Sequence, residues 1–145
     1  MKPRYVITLF GAVAVALSLM VVMPTDVSSQ EDPDARVVEI KDIMAGIHKP
    51  AMDNVASIFK KAPETDEEWA KVALSARLIN ESGHLLMQNN RCPDAVWAKA
   101  CSNLRAFTAT YAKAAMKHDL AGAKAACAQI GASCKSCHDQ HREES

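Results

Sequence analysis

The sequence predicts an all-α protein, an antiparallel up-down-up-down four-helix bundle. Three observations carry that prediction. Apolar residues recur at three- and four-residue steps in four separate stretches, the period of a helix with one buried face. Proline-, asparagine- or cap-bearing breaks separate the stretches. Alanine is abundant while aromatic residues make up only 5% of the chain, a composition suited to closely packed helices more than to a β-sandwich.

After a polar, proline-broken lead-in from Gln30 to Pro33, the first helix is expected over residues 34–60. Its stripe is Val37, Ile40, Met44, Ile47, Ala51, Val55 and Ile58. Pro50 falls inside it, removes one backbone hydrogen bond and predicts a bend near His48. Ala62-Pro63-Glu64 ends this helix, and Thr65 with Glu68 forms a capping box that opens the second. There Trp69, Val72, Ala76, Ile79, Gly83 and Leu86 share one face. Asn89-Asn90-Arg91-Cys92-Pro93 is the next break. The third helix, ending near Lys117, carries Trp97, Cys101, Leu104, Phe107, Tyr111 and Ala114. Asp119 is placed to cap the fourth, whose stripe runs Leu120, Ala123, Cys127, Ile130, Cys134, Cys137. Helices of about 23 residues, roughly 35 Å long, joined by short turns imply antiparallel neighbours.

The chemistry is concentrated in Cys134-Lys135-Ser136-Cys137-His138. Two cysteines three apart with a histidine directly after the second form the attachment signature of a c-type haem. Each thiol adds across one vinyl group, so both sulfurs must stand on one side about one turn apart. The adjacent imidazole then becomes the proximal iron ligand. Two other chemistries use some of the same residues. A zinc site could take Cys134, Cys137 and either His138 or His141, but no obvious fourth ligand accompanies them. A thiol–disulfide centre could take the two cysteines, but it leaves the histidine unexplained and lacks βαβ surroundings. Because Cys134 and Cys137 continue the buried stripe, the macrocycle is expected inside the bundle, making the fold a four-helix bundle with covalent haem c near its C-terminus.

The N-terminus supplies a compartment. Lys2 and Arg4 precede an apolar run from Tyr5 to Met23, Pro24 breaks the run, and Val27-Ser28-Ser29 offers a cleavage site before Gln30. Residues 1–29 are therefore read as a signal peptide, and residues 30–145 as the exported domain. The run would also suffice to span a bilayer, so an uncleaved anchor that tethers the domain is the alternative. Both readings put the domain outside the inner membrane, in the periplasm, where haem c is attached in bacteria. Lys plus Arg total 17 and Asp plus Glu total 17, leaving no net charge and no nucleic-acid footprint.

A four-helix bundle with one Cys-x-x-Cys-His on its last helix resembles the class II c-type cytochromes, the cytochrome c prime group. The similar stretch is Gly131-Ala132-Ser133-Cys134-Lys135-Ser136-Cys137-His138-Asp139, with Arg142 four residues past the histidine. Many members carry an aromatic residue where this chain has His141. The resemblance covers helix order and length over residues 34–142, with only the C-terminal motif specific. It implies that the first helix faces the distal side of the iron. An apolar residue there leaves iron five-coordinate and open to gases, whereas methionine gives low-spin iron suited to electron transfer. Matching Ile43-Met44-Ala45 to that position makes Met44 the expected sixth ligand, with His48, one turn later, as the competitor. Arg142 is implied near the proximal imidazole or a haem propionate; a cation stabilising the helix terminus is the plain alternative. Homodimers through the first two helices are common in the group.

Asp139 could orient the proximal imidazole or point into water. Cys92 and Cys101 could form a disulfide only if the third helix starts well after Cys92, because nine helical residues rise about 13.5 Å against a limit of about 7 Å. Cys127, Met52, Trp69, Trp97, Phe107 and Tyr111 are read as core, and His84 and His118 as solvated. No Ser-His-Asp set, phosphate-binding glycine loop or carboxylate pair is visible, so the chain is not read as an enzyme. The expected function is electron transfer between redox partner proteins by an exported monohaem cytochrome. The alternative is a five-coordinate haem protein that binds or senses small gases such as NO or CO.

Overall fold

The computed structural model describes residues 37–142; the leader lies outside them. Among the described residues the chain is all-helical, with no strand, and is compatible with a helical bundle. No helix among them is long and apolar enough to cross a membrane.

The first helical segment comprises α1 (Ile40–Ile43), a π-helical stretch (Met44–His48), α2 (Lys49–Ala56) and a 3₁₀ turn (Ser57–Phe59). The bend expected near His48 takes the form of this π stretch. Pro50 cannot donate a backbone hydrogen bond, and its ring would crowd the carbonyl four residues earlier. Widening the turn relieves the crowding, and the Lys49 N–H reaches back to the Met44 carbonyl, five residues away. The extra residue shifts the register. Ile43, outside the expected stripe, is 3% exposed; Val37, counted on the stripe, lies before α1 and is 91% exposed.

The second segment, α3 (Asp66–Leu85), begins where the capping box predicts. Glu68 N–H donates to Thr65 Oγ1 at 3.2 Å, and Glu68 Oε2 accepts from the Thr65 and Glu64 N–H groups at 3.2 and 2.7 Å. Asn89 and Asn90 both adopt positive φ in the turn that follows, a conformation asparagine tolerates. Asp94 caps α4 (Ala95–Ala115) by accepting from the Trp97 N–H at 2.9 Å.

The turn into α5 (Leu120–His141) is tight. His118 takes φ 55°, its N–H donates to the Ala115 carbonyl, and the Asp119 N–H donates to the Ala114 carbonyl. That paired closure ends α4. The Asp119 side chain at once starts α5 by accepting from the Gly122 N–H at 2.9 Å. A Cβ on Gly122 would collide with that carboxylate, so the cap needs glycine there. His118, read as solvated, is exposed; it also stacks on Trp69 with centroids 5.2 Å apart and lies 3.7 Å from Asp66. His84 is exposed, 3.2 Å from Gln88.

Consecutive segments pack side by side: α3 against α2 and α4, and α4 against α5. The main core joins Val55 and Ile58, Val72 and Ile79, Leu104 and Tyr111, and Cys127 and Ile130. Tyr111 is fully buried and donates its hydroxyl proton to the Val55 carbonyl at 3.0 Å, fixing α4 to the first segment. A smaller cluster gathers Ile43, Leu86, Trp97 and Cys101. Beside it Arg91, 6% exposed, clasps the chain start to the end of α3, donating to the Val38 and Leu85 carbonyls at 2.9 and 3.4 Å.

Candidate functional site

Cys134, Cys137 and His138 lie in the last two turns of α5 and line a cavity of about 860 Å³. That volume falls within the usual range for small-molecule and cofactor sites. Met44 and His48 line it from the π stretch, Leu86 from just past α3, Trp97, Cys101 and Leu104 from α4, and Arg142 from the C-cap of α5. Every residue expected to bind the cofactor therefore meets at one place. Met52, read as core, packs on the main core and also lines the cavity.

Local structure fixes this wall. Trp97 donates its indole N–H to the Leu86 carbonyl at 2.8 Å, tying α4 to the end of α3. Asp94 does more than cap α4: its Oδ2 accepts from Gln140 at 3.1 Å, and His141 Nε2 lies 3.3 Å from its Oδ1. The last contact is close enough for an ion pair when His141 is protonated, but it is not aligned as a hydrogen bond. The Trp97 backbone N–H, more than His141, holds the Asp94 carboxyl below its ordinary range. His141 also meets the Trp97 ring nearly edge-on, centroids 5.3 Å apart at 76°.

The polar groups are tuned mainly by burial. Burial raises the Cys134 thiol, and burial, Cys134 and Asp94 raise Cys137. Both remain protonated near neutrality. Cys101 is pushed up to about 11 by burial, then by the neighbouring Cys137 and Cys92. His48 is lowered to about 4 by burial, then by the charge of His138, so it stands neutral. Its Nε2 lies 2.8 Å from Ser82 Oγ on α3.

Two alternatives that the sequence leaves open are decided. Asp139 does not orient the imidazole; it pairs with Lys135 at 2.6 Å on the exposed side of α5, one turn back. Cys92 and Cys101 are free thiols. The Cys92 thiol turns instead toward the Asp94 carbonyl, 3.6 Å away in its own turn. Among the described residues, no group of three or more His, Cys, Asp or Glu side chains is placed to hold a metal ion, so the zinc alternative lacks a ligand set.

Sequence reading missed the roles of Ser82, Asp94 and His141. Asp94 was the findable one, since an aspartate directly before Ala95-Val96-Trp97 is an N-cap signal. Compared with known proteins, the chain matches no family model, no curated protein and no solved structure.

Proposed function

We propose that this chain is an exported monohaem c-type cytochrome of the class II kind, working in electron transfer. One observation carries the reading: the two motif thiols and His138 share a single cavity with Met44, which comes from a different helical segment. The residues present fit a haem. The cavity is large enough, and Ile40, Leu86, Trp97 and Leu104 give it apolar walls. Cys134 and Cys137 would each add S–H across a vinyl group, anchoring the haem through two thioethers. His138 and Met44 would hold the iron, the thioether favouring a high potential. Arg142, at the cavity, would set a fixed positive charge against a propionate. When bound, haem supplies a one-electron iron couple that the side chains cannot.

The bundle is proposed to be antiparallel, up-down-up-down. Support comes from the clusters: Leu86 at the end of α3 packs with Trp97 at the start of α4, and Ala114 and Ala115 share a core with Ala123. The leader's composition supports export to the periplasm, with a membrane tether if it is retained. Partners would be redox proteins that approach the cavity mouth, and the group's habit makes a homodimer the natural assembly to look for.

The test is the absorption spectrum of reduced protein with and without carbon monoxide, after acid extraction has shown whether colour stays with the chain. Retained colour, a low-spin spectrum and conversion to high-spin by Met44→Ala are expected. Colour lost on extraction would refute covalent attachment. A high-spin wild type that binds carbon monoxide rapidly would replace electron transfer with gas binding.

A further inference from the structure

Met44 and His48 open and close the π stretch and both line the cavity, so two side chains of one helical face compete for one position. Imidazole is a good iron ligand and a more basic donor than a thioether. Something must decide between them. On α3, Ser82 is 2% exposed and its Oγ lies 2.8 Å from His48 Nε2. The Ser82 hydroxyl also reaches the Ile79 carbonyl at 3.1 Å. Whichever of Ser82 and His48 donates, His48 Nε2 is engaged in this bond, either carrying the proton or accepting the hydroxyl's. In neither form does Nε2 keep a free lone pair for a metal. The other ring nitrogen, Nδ1, sits next to the ring's attachment to the backbone, where its reach is short.

We infer that Ser82 selects the sixth ligand by latching His48 to α3 and so leaving that position to Met44. The inference rests on the haem reading above and names the residue that sets its distal ligand. Ser82 does not line the cavity; it is a positioning residue that acts through His48.

The experiment compares holoprotein spectra of wild type, Ser82→Ala and Ser82→Ala/His48→Leu. Ferric wild type is expected to show the near-infrared methionine-to-iron charge-transfer band. Ser82→Ala should lose more than half of that band while staying low-spin, with a lowered reduction potential, as histidine replaces methionine. The double variant should regain it. Full band intensity in Ser82→Ala overturns the inference alone. So does a loss that the double variant does not restore, since the ligand would then have been displaced by local distortion. A wild type without the band overturns the Met44 assignment and the latch together. An iron-independent reading comes from the ¹⁵N shifts of His48 in haem-free protein: the Nε2 shift is expected to change in Ser82→Ala as its hydrogen bond is lost, and an Nε2 shift unaffected by Ser82→Ala overturns the latch.

Discussion

The main core and the smaller cluster by the cavity are built from the same helices in different ways. In the main core, Val55, Ile58, Ile79, Tyr111 and Ile130 are each no more than 1% exposed and come from every helical segment. The smaller cluster has four buried members, and one side of its neighbourhood is a cavity. There hydrogen bonds do the joining that packing does in the main core: Trp97 to Leu86, Asp94 to Gln140, Arg91 to Val38. Apolar burial supplies most of a domain's stabilisation, whereas each net hydrogen bond adds on the order of 1 kcal/mol. The main core thus keeps the chain folded, and the second region is left free to hold a large ligand.

That division can be broken or sharpened by measurement. Tyr111→Ala removes a fully buried ring and its bond to Val55, and should cost about 3–5 kcal/mol in urea unfolding of haem-free protein. A loss under about 1 kcal/mol would show that the main core is not where stability resides. A pH dependence comes next and belongs to the cavity region. His48 titrates at about 4 when folded and near 6.5 unfolded, so between those values the unfolded chain binds more protons. Stability is full above the upper value and falls as pH drops toward the lower, by about 3 kcal/mol in haem-free protein. Denaturant midpoints at both extremes would show the change, and His48→Gln should remove its share of the slope. The smallest effect is expected for Asp94→Ala, about 1 kcal/mol from the lost cap. Its sharper signature is faster amide exchange at His138 to His141 than in the main core. Equal change in both regions would argue that they unfold as one.

Much of this was legible in the chain. The Thr65–Glu68 box and Asp119 announce helix starts by direct side-chain chemistry, and both act where the residue pattern puts them. Cys134, Cys137 and His138 could be read from their spacing, and Met44 from the resemblance that set it opposite them; all line one cavity. What could not be read depends on contacts between residues far apart in sequence. Ser82 holding His48 joins positions 34 residues apart, and nothing local marks either one. The start of the first helix was misjudged for a different reason. Val37 lies ahead of the Glu39 cap and never joins the helix, and counting by α-helical steps through Pro50 ignores the π turn's extra residue and so passes over Ile43.

The closure at His118 and Asp119 has a consequence for the distant motif. Cys134 lies fifteen positions beyond Asp119, about 23 Å along an uninterrupted helix. α5 therefore works as a spindle: the angle at which its far turns present their sulfurs is dialled in where the helix is seated. One residue inserted within α5 between its cap and Cys134, with the cap held in place, would rotate both thiols by about 100° about the axis, without altering any residue of the motif.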